Sequence, residues 1–152
     1  MEKSIKKKIE KIAGEFIKKT SFDISCDIKD GENGVIALQF KTEDPDVLIG
    51  EAGQTLWEIQ MILSRIIKKQ IGMDTVIDLD INEYKQNKLR YLKEIAKEAA
   101  DRVALMKREE ILPAMPAFER RVVHTELALR SDVKTESIGE GYQRRVVIAP
   151  AD

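Results

Sequence analysis

Ile49-Gly50-Glu51-Ala52-Gly53-Gln54-Thr55-Leu56 is the stretch around which the rest of the chain can be read. Two glycines bracketing two residues let backbone approach a ligand without Cβ interference. The helix start that follows presents free N–H groups to an anion. A G-x-x-G tetrapeptide is common in ordinary turns, so its setting matters. It follows the apolar run Val47-Leu48-Ile49 and opens a helix whose stripe is Leu56, Ile59, Leu63, Ile66 and Ile67, with Gly72 as the stop signal.

On the N-terminal side, Ile5, Ile9, Ile12, Ala13, Phe16 and Ile17 form one stripe of an amphipathic helix over residues 2–19, with lysines opposite. Covering a sheet is the commoner use of such a helix than lying on a membrane surface. Phe22, Ile24, Cys26 and Ile28 then alternate with polar residues as a half-buried strand. Asp30-Gly31-Glu32-Asn33-Gly34 supplies turn chemistry, and Ile36, Leu38 and Phe40 restart the alternation. Beyond the helix, Ile77, Leu79 and Ile81 make a third strand with Asp78 and Asp80 on its polar face. Residues 1–82 therefore read helix–strand–strand–helix–strand, a small α+β module.

Residues 83–152 form a second module. A helix from Tyr84 to about Met106 carries Leu89, Leu92, Ala96, Ala99, Val103 and Met106 on one seam. Lys93 and Lys97 belong to a solvated face with Glu94 and Glu98. Pro113 and Pro116 break the chain, and Pro116 suits the first turn of a further helix. Its expected inward residues are Phe118, Val122, Thr125 and Leu129. Val133–Ile138 and Arg144–Ala149, flanking Gly139-Glu140-Gly141, read as a strand pair.

Within the second helix of this module lies Glu119-Arg120-Arg121-Val122-Val123-His124. Arg120 and His124 are four apart and share a helix face, and Arg121 borders it. Neither arginine has an acidic residue three or four positions away, so intrahelical pairing does not explain them, whereas Arg130 has Glu126. Arg144 and Arg145 alternate on the final strand, so one of the pair faces outward. A guanidinium can bind phosphate bidentately or stack on a base.

The α-β-β-α-β order around Gly50–Gly53 resembles a KH domain of the prokaryotic type II arrangement, whose G-x-x-G loop clamps a single-stranded backbone. Arg120-x-x-x-His124, followed by Thr135–Gly141 and Arg144–Ile148, resembles the R-3-H domain, a single-stranded nucleic-acid-binding module. KH followed by R-3-H in one chain is similar to the Jag family of bacterial RNA-binding proteins, over roughly residues 21–150. The resemblance implies a non-catalytic cytoplasmic protein that binds single-stranded RNA, with single-stranded DNA the close alternative. It links such a protein to cell-envelope growth, elongation or sporulation, and makes a homodimer or a heterodimer with another KH protein a further expectation. On this reading the N-terminal Jag module is lacking and residues 1–19 stand in its place.

The loop departs from the family pattern, because Glu51-Ala52 occupies positions that usually carry basic residues. A basic side chain on single-stranded nucleic acid contributes through counterion release, with a salt slope of about 0.7 per neutralised phosphate. Glu51 forfeits that, and Glu43, Asp44 and Asp46 add to the acidity. Two readings stay open: backbone N–H groups of Gly50, Glu51, Ala52 and Gly53 hold a phosphate, or this module is a dimerisation and packing platform. Trp57, one turn on, is either a packing residue or a base-stacking one.

Composition bounds these readings. The chain has 152 residues, 26 Lys+Arg, 27 Asp+Glu and a formal net charge of −1. Residues 1–20 carry seven Lys against three Glu, residues 21–82 five basic against twelve acidic groups, and residues 83–152 fourteen basic against twelve acidic. The acidic excess thus surrounds the G-x-x-G loop and moves the nucleic-acid reading to Arg120, Arg121, His124, Arg144 and Arg145. A single cysteine, Cys26, excludes an internal disulfide and reads as a buried inert thiol. With one histidine in the chain, a structural zinc site is not expected. No cofactor is expected, and no apolar run approaches the roughly 20 residues of a membrane helix.

Overall fold

The computed structural model describes residues 3–72 and 74–152. It is a mixed α+β structure that divides into two compact units, up to Lys85 and from Gln86 onward. No helix among the described residues is long and apolar enough to cross a membrane.

In the first unit, α1 (Lys3–Lys18) precedes β1 (Ile24–Asp30) and β2 (Ile36–Thr42). The two strands pair antiparallel with Ile28 opposite Leu38. α2 (Pro45–Ile49) and α3 (Gln54–Ile71) then lead to β3 (Ile77–Ile81), which pairs parallel to β2 with Leu38 opposite Leu79. A parallel return needs a long crossover, and α2 and α3 supply it. Strand order is β1-β2-β3. Alternation puts Ile28, Leu38, Phe40, Leu79 and Ile81 on one face, where Ile9, Ile12, Leu48, Leu56, Leu63 and Ile67 from the helices complete a core. Burying each such side chain contributes roughly 1.5–3 kcal/mol. α2 was not foreseen: Asp44-Pro45 starts it, with Pro45 in its first turn.

The polar-face reading of Asp80 requires correction. Asp80 is buried, and its Oδ1 accepts the N–H groups of Ile81 (2.8 Å) and Lys85 (3.2 Å). The second of these satisfies an N–H in the first turn of α4 (Tyr84–Met106), which has no intrahelical partner there. Asp78 instead pairs with the Lys85 ammonium. Between β3 and α4, Asn82 and Glu83 both take positive φ, 50° and 59°. Asn82 holds this bend by clamping Thr42, accepting its N–H at 3.0 Å and donating to its C=O at 2.8 Å.

In the second unit, α5 (Ala117–Leu127) packs with α4 on a three-stranded antiparallel sheet of order β4-β6-β5, made of β4 (Glu110–Ile111), β5 (Val133–Ile138) and β6 (Arg145–Pro150). β4 adds a third strand to the expected pair. Leu92, Ala96, Ala99, Ala100 and Val103 of α4 are buried with Val123, Leu127, Val133, Val146 and Ile148. Leu89 and Met106, expected on that seam, are 36% and 63% exposed.

The inward face of α5 also differs from expectation. Phe118 (63%) and Leu129 (98%) are exposed and Thr125 faces solvent, while Glu119, Val123 and Leu127 point inward. Glu119 can occupy a buried position because Lys88 lies 3.3 Å from its carboxylate. Lys93, Glu94, Lys97 and Glu98 are all exposed, as expected of a solvated face, and from it Lys97 and Lys93 also reach Glu126 of α5 at 3.0 and 3.8 Å. Arg130 follows the end of α5, so the helical spacing to Glu126 does not apply to it; it bridges Asp101 and Asp132 at 2.6 Å each.

This frame is testable. Leu127→Ala removes a side chain buried to 2% and should lower unfolding free energy by about 2–5 kcal/mol. Leu129→Ala should stay within roughly 0.5 kcal/mol of the parent protein. Urea unfolding of the two variants distinguishes this frame from one with Leu129 inside.

Candidate nucleic-acid interface

β5 alternates, so Val133, Thr135 and Ser137 share the face turned toward α5, while Lys134, Glu136 and Ile138 face away. His124 projects from α5 onto that row. Its Nδ1 lies 2.7 Å from Thr135 Oγ1 and its Nε2 lies 2.7 Å from Ser137 Oγ. In the neutral ring one nitrogen donates and the other accepts, and a hydroxyl can serve either. Partial burial, and then the positive charge of Arg120, lower the His124 pKa below its ordinary value.

Arg120 sits one turn earlier on the same face, half-buried. Its Nη1 donates to the carbonyl of Met115 at 2.7 Å. The Met115 N–H in turn donates to the carbonyl of Arg144 at 3.2 Å. Met115 thereby ties the start of α5 to the loop of the β5–β6 hairpin. Arg144 Nη1 donates back to Gly139 O at 2.9 Å. A guanidinium carries five donors, so these single bonds aim each group without exhausting it.

Arg145 is the outward member of the arginine pair. It lies opposite Ile138 on the sheet face away from Val146 and Ile148, and it donates to Gln143 O and Oε1, both at 3.1 Å. Arg121 is separated from Arg120 by the helical turn. It is exposed and lines a shallow cleft between α4 and α5 with Leu89, Lys93, Phe118, Val122, Thr125 and Glu126. Bonds thus link Arg120 through Met115 to Arg144, Thr135 and Ser137 hold His124 separately, and Arg121 lies on another side of α5.

Gly50–Gly53 lies in the other unit. Gly50 has φ 73°, and a Cβ there would come within 2.9 Å of Thr55 N, so this corner admits only glycine. Ala52 also takes positive φ (51°), and a 3-10 turn over Glu51–Gly53 runs directly into α3. Glu51, with Glu43, Asp44 and Asp46 before it, is exposed. A phosphate at these N–H groups would be repelled by Glu51 and would lie in an acidic stretch of the chain. Trp57 is 55% exposed, so the body of this unit does not bury it. Cys26 has a pKa pushed up to about 11, first by burial and then by Asp27 and Glu10, which makes it a poor nucleophile. No group of three or more His, Cys, Asp or Glu among the described residues is placed to hold a metal ion.

Met115, Thr135 and Ser137 were not named as site residues from the sequence. The hydroxyls could have been found from their two-residue spacing on a strand opposite an isolated histidine. Met115 acts through its backbone and leaves no signal in side-chain chemistry.

Residues 90–150 match the R-3-H domain family, a span that contains Met115, Arg120, His124, both hydroxyls and the hairpin. The chain is also similar to proteins named RNA-binding protein KhpB. It is 32% identical to that of Clostridium symbiosum over 127 residues, covering 84% of this chain and 57% of the relative. It is 31% identical to that of Lactiplantibacillus plantarum over 117 residues (77% and 36%), and 30% identical to that of Bacillus subtilis strain 168 over 109 residues (70% and 52%). The chain therefore spans between about a third and just over half the length of these relatives.

The geometry of His124 fixes a pH dependence. A histidine whose folded pKa is depressed contributes its full stability above the unfolded value near 6.5 and loses it as pH falls below, down to the folded pKa. The lone histidine should therefore titrate below 6.5 by NMR. Unfolding free energy should fall between pH 7 and pH 5 by an increment absent from His124→Gln.

Proposed function

We propose that this protein binds single-stranded RNA without catalysis, through the surface formed by α5 and the β5–β6 hairpin. The observation that carries this reading is the bond chain from the Arg120 guanidinium through Met115 to the Arg144 carbonyl, with the Arg144 guanidinium held in turn by Gly139 O, which joins two arginines bonded only to neutral oxygens. Oriented arginines suit phosphate oxygens and base faces alike. The match of residues 90–150 to the R-3-H family and the names of the KhpB relatives support RNA as the ligand. His124 fixes α5 on β5, Arg145 adds a cation on the opposite face of the hairpin, and Arg121 makes a lesser contribution from its separate cleft.

We further infer that the first unit is a KH-like module of a Jag-family protein working in the cytoplasm, in regulation tied to envelope growth or sporulation. The Gly50–Gly53 loop adds backbone contacts to the RNA there. A second reading takes this unit as a dimerising or protein-interaction platform. It is favoured by the exposure of Val47 (62%), Trp57 (55%) and Ile62 (49%) beside the acidic loop.

Binding of a short fluorescent single-stranded RNA across a salt series tests both readings. Arg120→Ala should weaken binding about tenfold or more and lower the salt slope by about 0.7, while Arg121→Ala should cost less than about threefold. Circular dichroism melts check that the variants are folded. Lack of affinity at low salt, or indifference to Arg120, overturns the RNA reading at this site. Glu51→Lys should raise affinity and steepen the slope if the loop faces RNA. No response assigns the loop to packing, and light scattering then reads the oligomeric state.

A further inference from the structure

The most exposed aromatic residue of the described chain is Tyr142, at 101% relative exposure. It stands in the 3-10 turn Gly141–Gln143 at the tip of the β5–β6 hairpin. Single exposed apolar residues are ordinary on protein surfaces, so exposure alone means little. The mounting of this one is what distinguishes it.

The tip is held by two backbone bonds and one side-chain bond. Gln143 N donates to Glu140 O at 3.1 Å, Arg144 N to Gly141 O at 3.3 Å, and the Arg144 guanidinium to Gly139 O at 2.9 Å. Gly139 has φ 85°, and a Cβ there would lie 3.0 Å from Gln143 O, so the tight base of the tip requires glycine. Through Met115 the same turn is joined to Arg120. Tyr142 is therefore a ring that packs against nothing, carried on a braced turn whose next residues are Arg144 and Arg145.

The local charge indicates which part of a nucleotide belongs there. Glu140, exposed two residues before the ring, disfavours a phosphate at the tip, whereas the arginines behind it attract one. A neutral ring beyond a basic rim suits a base turned outward from a backbone held on the arginines. Stacking of that kind needs a base free of its own helix, and it tolerates any sequence because every base has a π-face.

We propose that Tyr142 is a base-stacking platform that gives the α5–hairpin surface its preference for single strands over duplex. The proposal rests on the RNA-binding reading above and names the ligand state that this surface selects. The ring contributes no charge, so its removal should change affinity without changing the salt slope. That separates it from the arginines beside it.

The test measures binding of a fluorescent single-stranded RNA, and of the same RNA annealed to its complement, by the full chain and by Tyr142→Phe, Tyr142→Leu, Tyr142→Ala and Arg120→Ala. Tyr142→Phe should bind as the parent does. Tyr142→Leu and Tyr142→Ala should lose single-strand affinity progressively, about tenfold for alanine. Their salt slope and melting temperature should stay unchanged, and the duplex affinity should hardly move. If Tyr142→Ala binds single strands as the parent does while Arg120→Ala does not, stacking is overturned and the RNA reading survives. Equal losses on both RNA forms, or a lowered melting temperature, overturn the platform in favour of a structural role. If the parent chain binds neither RNA, both inferences fall.

Discussion

The imidazole of His124, bonded on one side to Thr135 and on the other to Ser137, is the constraint on which the second unit's surface depends. Helix-on-sheet packing through Val123, Leu127, Val133 and Val146 holds the two elements together, but apolar burial is non-directional and tolerates sliding. Two hydrogen bonds to hydroxyls two residues apart on a strand do not. They set the register of α5 along β5 and so set where Arg120, one turn away, meets the Met115 carbonyl. From there the hairpin loop is tied in turn through Arg144. Two polar contacts worth about 1 kcal/mol each thus add direction to a register that the apolar core also packs.

Charge is divided between the units in a way that a net value near zero conceals. The loop that a KH-like module would offer to a nucleic acid carries the exposed Glu51 and follows the exposed Glu43, Asp44 and Asp46 in the chain. Several acids in the second unit are already engaged: Glu119 by Lys88, Glu126 by Lys93 and Lys97, and Asp101 and Asp132 by Arg130. Pairing of this kind removes anions from the field that a ligand would feel. Arg120, Arg144 and Arg145 bond to neutral carbonyl and amide oxygens, so their charge remains uncompensated.

Strong periodicity made most elements legible. The alternation of β1, β2 and β3 and the stripes of α1 and α3 appear in the structure close to where the sequence places them, because each buries a full apolar face. Elements without such a face were misread or missed. β4 is two residues long and exists because Ile111 and Glu110 meet β6, which no local pattern encodes. α5 carries apolar residues on two faces, and its inner one includes Glu119, a residue type that patterning assigns to solvent. The burial of Glu119 depends on Lys88, 31 positions earlier, and so lies outside any local window. Among site residues, the arginines and His124 were visible as residue types at helical spacing. Their partners were not, because Met115 acts by backbone and the hydroxyls of Thr135 and Ser137 come close only through tertiary packing.

The bend at Asn82-Glu83 has a consequence for folding in time. Two successive residues in the left-handed region are costly, and the clamp on Thr42 that holds them requires β2 and β3 to be paired already. Once they are, the Asp80 carboxylate holds the Lys85 N–H. Starting a helix is the unfavourable part of its formation and adding residues is easy. Asp80 thus supplies, from the end of β3, an acceptor for an N–H at the start of the chain's longest helix, where helix formation is least favourable.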